Sequence, residues 1–382
     1  MKVAIVHYWL VGMRGGEKVI EALCEMYPQA DIFTHVYVPE MVSETIRKHR
    51  IIPTFINALP RAASMYKTYL PLMPLALEQL DLRGYDLVIS SESGPAKGVI
   101  PPSDAVHICY CHTPMRYIWN MYHDYRNSAG LVTRLVMPPL SHYLRMWDIA
   151  SAARVDSFVA NSTTVAGRIH RYYGADAAVI HPPVDTDAFS VAPPSEIGDF
   201  YLMAGELVSY KRPDLAVQAF NEMKLKLIVI GGGEMLDKIR NLAGPTVTVM
   251  GSQPFDVLKR HYARCRALIF PGEEDFGMVP VEAMASGRPV IAFGKGGATE
   301  TVVEGVSGTF FAEQSVQAIT AAVKRLADSS IDPIRIVEHA RQFGREQFLQ
   351  KMQKHVDGVF RERQARGKAV AAGAGELASI DH

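Results

Sequence analysis

FPGEEDFGMVPVEAMASGRPVIAFGKGGATET, residues 270–301, holds two strand-to-helix junctions in succession. An apolar strand over 267–270 breaks at Pro271 and Gly272 into an acidic loop, and a helix restarts near Met278 with Glu282 close to its N-terminus. A second apolar strand, 290–293, then runs into the turn Gly294-Lys-Gly-Gly297, with Glu300 just beyond. Glu274 and Glu282 are thus held across one junction. Helix N-termini at the carboxyl ends of parallel strands are where open α/β sheets bind anionic ligands, because first-turn N–H groups point outward unpaired. The pattern is that of a site for a nucleotide or a sugar phosphate.

Outward from this stretch, the alternation of strand and helix continues in both directions. Strands are expected at 3–8, 31–35, 87–90, 107–111, 157–160 and 177–181, and again at 201–204, 225–230, 246–250, 267–270, 290–293 and 309–311. Gly12, Gly15 and Gly16 follow the first strand and precede a helical pattern over 17–27. Short apolar runs alternating with helices point to an α/β chain of Rossmann-like layers. The proline-rich segment from Pro182 to Glu196 reads as a linker between two halves, with a ligand cleft expected between them. The expected division is a first domain over 1–190, a second over 191–345, a C-terminal helix over 346–365 packing back on the first, and a disordered tail over 366–382 rich in small residues.

Composition bounds the function. A chain of 382 residues, 48% hydrophobic, suffices for two cores. Forty basic residues balance forty acidic ones, so no global field attracts nucleic acid. No apolar run approaches the ~20 residues of a membrane-spanning helix, and Met1-Lys2 leads straight into a strand without the pattern of a signal peptide. The four cysteines are too scattered for a disulfide framework, and Cys109 and Cys111 are expected to share one packed strand face. A reducing compartment is expected.

Charge is nonetheless uneven in the first half. Residues 45–77 carry Arg47, Lys48, Arg50, Arg61 and Lys67 and no acid; residues 125–147 carry Arg126, Arg134 and Arg145 without a carboxylate, among large apolar side chains. Basic residues mixed with apolar ones suit a segment lying on an anionic membrane; the alternative is a solvated helix packed on the core by its apolar side.

Seven residues separate Glu274 from Glu282. With Pro271, Phe276-Gly277, Glu282-Ala-Met-Ala-Ser-Gly287, Pro289-Val-Ile and Gly296-Gly-Ala-Thr-Glu300, this spacing strongly resembles the signature of the retaining family-4 glycosyltransferases. Their fold is GT-B, two facing Rossmann-like domains. The first half, with RGGEKVIEAL at 14–23 and CHTPMRYIW at 111–119, is similar to a branch of bacterial mannosyltransferases that build O-antigen and exopolysaccharide units on polyprenyl diphosphate lipids.

The resemblance implies roles. Glu282 would hold the ribose hydroxyls of a nucleotide sugar and Glu274 the donor sugar, while backbone N–H groups around Phe276, Gly277 and Met278 meet sugar or phosphate oxygens. Lys211, in Gly205-Glu-Leu-Val-Ser-Tyr-Lys-Arg-Pro, would stabilise the leaving diphosphate. Gly15, Gly16, Gly296, Gly297 and Glu300 would complete the donor site, and His112, in a His-Thr-Pro context, would bond a sugar hydroxyl. Asn161-Ser162 either shares such a role or caps a helix. One departure is evident: the family usually carries Arg after Gly205, where this chain has Glu206. Either Glu206 turns away and Arg212 supplies the second positive charge, or donor binding is weakened.

The resulting expectation is a retaining hexosyltransferase without metal or other cofactor, since neither an Asp-x-Asp motif nor spaced histidines are present. It would move mannose from GDP-mannose to a lipid-linked saccharide on the cytoplasmic face of the plasma membrane. The surface for membrane and acceptor would include Arg47, Lys48, Arg50, Arg61, Lys67, Arg134 and Arg145. The alternatives are the same reaction with a UDP-sugar such as UDP-glucose, or a sugar-nucleotide-binding protein with little turnover. No nucleic-acid partner is expected.

Overall fold

Five consecutive buried residues, Val3–His7 (β1), seed the first sheet. Parallel strands buried on both faces must be apolar throughout rather than alternating. The computed structural model describes the backbone of residues 1–378 and the side chains of that span apart from 128 and 366–378. The first sheet continues through Asp31–Thr34 (β2), Arg50–Pro53 (β3), Leu87–Glu92 (β4), Val106–Cys111 (β5), Ser157–Ala160 (β6) and Ala177–Val179 (β7). The second is built from Tyr201–Ala204 (β8), Leu227–Ile230 (β9), Val247–Gly251 (β10), Leu268–Phe270 (β11), Val290–Phe293 (β12) and Gly308–Phe311 (β13).

Among the described residues every strand pairing within these sheets is parallel, in the orders β3-β2-β1-β4-β5-β6-β7 and β10-β9-β8-β11-β12-β13. Both are doubly wound: the order reverses between β1 and β4 and between β8 and β11. Loops at the carboxyl ends of strands flanking a reversal open a crevice where ligands sit. The expectation of two Rossmann-like layer structures is met. The one strand missed in the sequence is β3, whose reading as part of a basic patch follows from Arg50 and Pro53; a proline is tolerated there because β3 is an edge strand.

The chain divides into two compact units, one of residues 1–161, 165–180 and 348–382, the other of 162–164 and 181–347. The stretch 181–190, placed in the first half by its linker-like sequence, packs with the second unit. Val184 forms an isolated parallel bridge with Gly344, and the His181 ring stacks on Phe276 with centroids 5.1 Å apart. The helix Arg345–Ala378 returns to the first unit, burying Phe348, Met352 and Val356 among Val3, Ile5 and Ile108. Its helical backbone continues to Ala378, into the tail for which disorder is expected; alanines there favour helix. Residues 379–382 of that tail lie outside the described residues.

Cys109 and Cys111 face the same side of β5, packed with Ala152, Phe158 and Ala160, while Tyr110 faces the other. All four cysteines are buried, and none of them forms a disulfide. In the same unit Lys97 is fully buried, its Nζ 2.8 Å from Glu92 and bonded to Asp148, which also accepts from Trp119 Nε1 (2.7 Å) and Tyr173 Oη (2.9 Å). A buried ammonium needs an opposite charge and further hydrogen bonds to offset its desolvation. The network ties the end of β4 to the helix Leu131–Ala152.

Two buried histidines carry a consequence for stability. His35 bonds Thr54 and the Pro95 carbonyl, and His107 bonds Ser90 and the Arg154 carbonyl. Burial pushes both pKa values down to about 4, so both rings are neutral in the folded chain. The unfolded chain, with histidine near ~6.5, binds more protons between these values. Stability is therefore full above pH ~6.5 and falls as pH drops toward 4, by on the order of 3 kcal/mol per ring. A Tm that declines between pH 6.5 and 4.5 is expected, and His107→Gln should flatten that decline; a pH-independent Tm would contradict the assignment.

Candidate functional site

In the second unit, Lys211 and Glu274 come from the two loops that flank the reversal of strand order. Lys211 ends a 3-10 turn after β8, and Arg212, with φ +52°, caps the helix Pro213–Met223 whose first position is proline. Proline at that position lacks only an N–H that would be unpaired in any case. Glu274 lies in the acidic loop after β11. Lys211 Nζ sits 3.0 Å from Glu274 Oε1, both side chains less than one-fifth exposed. Burial by itself would lower the Lys211 pKa; the Glu274 carboxylate, then Tyr210 and Glu206, outweigh it and hold the ammonium above its usual range. A fixed cation and a fixed carboxylate thus share one partly desolvated spot, where electrostatic effects are stronger than in water.

Three loops meet there backbone to backbone. A Cβ on Gly272 would lie 2.5 Å from Lys211 Cα, and one on Gly297 would lie 2.2 Å from Phe276 Cα and 2.5 Å from the Asp275 carbonyl. Gly297 N–H donates to the Glu274 carbonyl at 2.8 Å. A Cβ on the adjoining Gly296 would lie 2.5 Å from the Glu274 carbonyl. The loops after β8, β11 and β12 are therefore held in register by contacts no side chain could enter. Gly277, at φ +85°, turns the chain into the helix Met278–Ala285, a geometry other residues rarely adopt. Phe276 is buried beneath it, against His181 and Phe343.

Glu282 is the fifth residue of that helix, which starts at Met278 as the sequence suggests. Its Oε2 accepts from the buried Tyr262 hydroxyl at 2.8 Å. Glu300, expected among the donor contacts, is engaged by protein groups. It accepts from Thr163 N (2.9 Å), Thr163 Oγ1 (2.8 Å) and Thr164 N (3.3 Å), with His181 Nε2 at 3.4 Å. Burial would raise its pKa, but His181 and the Thr163 donors leave it below the ordinary range. Thr163 and Thr164, which directly follow Asn161-Ser162, belong with Glu300 to the second unit. Glu206 is exposed, yet its charge still reaches Lys211. The Arg212 guanidinium pairs with Asp214 at 3.2 Å, so part of the second positive charge is already compensated.

In the first unit, Gly15 and Gly16 are the opening residues of the helix Gly15–Met26 rather than part of a free loop. A Cβ on Gly16 would meet Tyr8 Oη at 2.4 Å. His112 directly follows β5 and bonds Ser91 Oγ at 2.8 Å. Among the basic residues, Arg47, Lys48, Arg50, Arg61, Lys67 and Arg134 are exposed, Lys48 pairing with Glu44 at 3.2 Å. Arg145 departs from expectation: its Nε donates inward to the Ile118 carbonyl (2.6 Å) and its guanidinium lies 4.7 Å from the Tyr122 ring centroid. No group of three or more His, Cys, Asp or Glu placed to hold a metal ion occurs among the described residues.

Sequence reasoning missed Tyr262, His181 and Thr163, which hold Glu282 and Glu300 from distant positions, and the run Gly231-Gly-Gly-Glu234. That run was visible as a glycine turn after a strand. Its Gly232 carbonyl accepts from Leu207 N at 2.7 Å, bracing the loop that carries Lys211.

Gly297→Ala should separate the loops after β11 and β12. The expected result is a loss of stability of about 1–3 kcal/mol in chemical denaturation, the usual cost of overpacking. Wild-type stability in this variant would mean the close approach is dispensable.

The sequence model of the glycosyl transferases group 1 matches residues 186–343, and that of glycosyltransferase family 4 matches residues 13–188. The chain is 31% identical over 217 residues to the GDP-mannose-dependent alpha-(1-6)-phosphatidylinositol monomannoside mannosyltransferase of Mycolicibacterium smegmatis, covering 49% of this chain and 56% of that protein. It is 30% identical over 229 residues to D-inositol 3-phosphate glycosyltransferase 2 of Catenulispora acidiphila, covering 50% and 53%. These matches span about half the length of the curated relatives. Among solved structures, the lipopolysaccharide outer core galactosyltransferase WaaB superposes with a TM-score of 0.65 at 16% identity, covering 94% of this chain and 99% of that one. Anabaena HepE in complex with UDP-glucose gives 0.67 at 16% identity, covering 94% and 100%. At such identities the likeness is one of fold, GT-B. Two family models that follow one another along the sequence, over two doubly wound sheets, agree: the chain belongs to glycosyltransferase family 4, with a group 1 glycosyl transferase segment as its second half.

Proposed function

We propose that the protein is a retaining hexosyltransferase that moves mannose from GDP-mannose to a polyprenyl-diphosphate-linked saccharide in the synthesis of O-antigen or exopolysaccharide. The observation that carries the reading is the Lys211–Glu274 pair, one cation and one carboxylate joined at 3.0 Å at the strand-order reversal of the second unit. A nucleotide sugar offers what such a pair selects: a diphosphate for the ammonium and sugar hydroxyls for the carboxylate. Binding would part the two groups, each exchanging its present partner for a substrate group. Lys211 would then offset charge gathering on the leaving diphosphate, and Glu282, steadied by Tyr262, would accept the ribose hydroxyls. With retention, a donor phosphate oxygen takes the acceptor's proton on the same face, and no protein nucleophile is required. The mannose choice leans on the similarity to the mycobacterial mannosyltransferase.

A second reading, a sugar-nucleotide-binding protein with little turnover, is favoured by Glu206 near Lys211 and by the engagement of Arg212 with Asp214. One assay separates them. The purified protein is given labelled GDP-mannose, UDP-glucose and other nucleotide sugars with a polyprenyl-linked oligosaccharide extract and a chelator. Label entering the lipid fraction from GDP-mannose alone is the expected result. Transfer from a UDP-sugar overturns the donor, and donor binding without transfer favours the second reading.

The acceptor side of the proposal puts the first unit on the inner face of the plasma membrane. No described helix is long and apolar enough to cross a membrane. Support for peripheral attachment comes from the helix Leu131–Ala152, where Leu131 and Leu135 are nearly four-fifths exposed beside Val132, Val136 and the exposed Arg134. That much uncovered apolar surface on one helix marks an interaction site. The helix is braced from behind by Trp147, which donates to Glu78 at 2.9 Å, and by Leu144 in a small core with Met115 and Ile118. Sedimentation with vesicles rich in anionic lipid should exceed that with neutral ones. Leu131→Asp with Leu135→Asp should lower it at least about tenfold; equal, negligible binding to both vesicles would remove the membrane from the proposal.

A further inference from the structure

Arg288 is a buried cation to which the described residues supply no counter-charge. It is 8% exposed, its Nε is buried and bonds no described group, and it has no carboxylate partner among the described residues. A guanidinium stays protonated in proteins, and a charge left buried and unpaired is costly. Burial pushes Arg288 below its usual range, and the group that counters this is Cys265. Burial in turn raises that thiol to about 12, so Cys265 is neutral and no true partner. Lys97, by contrast, is met by both Glu92 and Asp148.

The backbone fixes Arg288 in place. Gly287, at φ +70°, follows the helix Met278–Ala285 in the left-handed turn that commonly ends helices, and Arg288 N donates back to the Ala283 carbonyl at 3.0 Å. Arg288 lines a cavity of about 250 Å³ together with Tyr201, the first residue of β8, and Arg266, two residues before β11. Arg288 itself stands two residues before β12. These strands are parallel neighbours in the order β8-β11-β12, so the cavity lies at the amino-terminal edge of the second sheet. Lys211, Glu274 and Gly297 follow the same strands at the opposite edge, and the two places are distinct. Leu326, Ser329 and Pro333, between the helices Val316–Ala327 and Pro333–Arg341, complete the lining. Of the other charges nearby, Arg266 is paired with Asp199 at 2.8 Å, and Asp332 accepts from Ile334 N at 2.9 Å. Arg288 is the one left over.

We propose that this cavity is a second binding site, which takes the phosphate group of a small molecule on the Arg288 guanidinium. Planar guanidinium groups bind phosphate through paired N–H bonds. A phosphate is favoured over a carboxylate because its second charge can also draw on Arg266, which Asp199 only half-covers at the surface. The volume limits the rest of the ligand to about the size of one sugar ring, since it is below the range of larger ligand pockets. The site does not depend on the proposed function, and turnover plays no part in its test.

Thermal unfolding of the full chain is followed against inorganic phosphate and against glucose 6-phosphate, with ionic strength held constant by potassium chloride. A ligand bound by the folded chain alone raises Tm with its concentration. The expected result is such a rise in the wild type, with an affinity at least about tenfold weaker in Arg288→Gln and intermediate in Arg288→Lys, which keeps the charge but not the fork. Lys211→Gln should keep the full rise. In phosphate-free buffer Arg288→Gln should melt no lower than the wild type, because an unpaired buried charge has been removed. Tighter binding of glucose 6-phosphate than of inorganic phosphate would identify a phosphorylated sugar as the ligand, and equal binding the free anion; both uphold the site. A rise unchanged in Arg288→Gln, or lost in Lys211→Gln, places the phosphate elsewhere and overturns the inference. So does the absence of any rise, or acetate acting as strongly as phosphate.

Discussion

The arrangement of the second unit depends on three loops approaching so closely that no Cβ fits between them. Gly272 lies on the backbone of Lys211, and Gly297 lies on the backbone of Phe276 while donating to the Glu274 carbonyl. Interiors resist even small volume changes, so contacts of this kind hold the loops after β8, β11 and β12 as one piece. The Lys211–Glu274 pair is a product of that constraint. Two residues on flexible loops would spend entropy to stay together, whereas here the backbone already places them at 3.0 Å.

Both units handle charge by the same rule, that a buried ionisable group needs a partner of opposite charge or several hydrogen bonds. Lys97 is satisfied by Glu92 and Asp148, and Glu300 by Thr163, Thr164 and His181. These networks are closed by protein groups. The Lys211–Glu274 pair differs in kind. It is partly exposed, lies at the reversal of strand order, and joins two groups that a nucleotide sugar could satisfy separately. The contrast separates ion pairs closed within the fold from one that the proposed reading assigns to a ligand.

The first unit gathers polar side chains at the carboxyl ends of its strands. β1 and β4 flank its strand-order reversal, and His7 and Ser91 lie at their carboxyl ends, with His112 one position past β5. Doubly wound sheets concentrate polar side chains at those ends because the strands leave the core there and their last residues need no apolar neighbour. The same unit leaves the apolar residues of the helix Leu131–Ala152 uncovered, an unusual cost for a protein surface unless something meets it.

Much of this was legible in the linear chain. Buried parallel strands are short apolar runs, so twelve of them could be read from residue type alone, and the spacing of Glu274 and Glu282 with its glycines marked the strand-to-helix junction after β11. β3 was not legible, because an edge strand may carry Arg50 and Pro53 where a central one may not. Nor were the partners of the acidic residues. Nothing local says that Tyr262 reaches Glu282, that Thr163 and His181 take up Glu300, or that Arg145 turns to Ile118. Local sequence determines which backbone a segment adopts and which residues can ionise, because sterics and periodicity act within a few residues. Which charges meet, and which remain for a ligand, is decided by strand order and register, which bring together residues far apart in the chain.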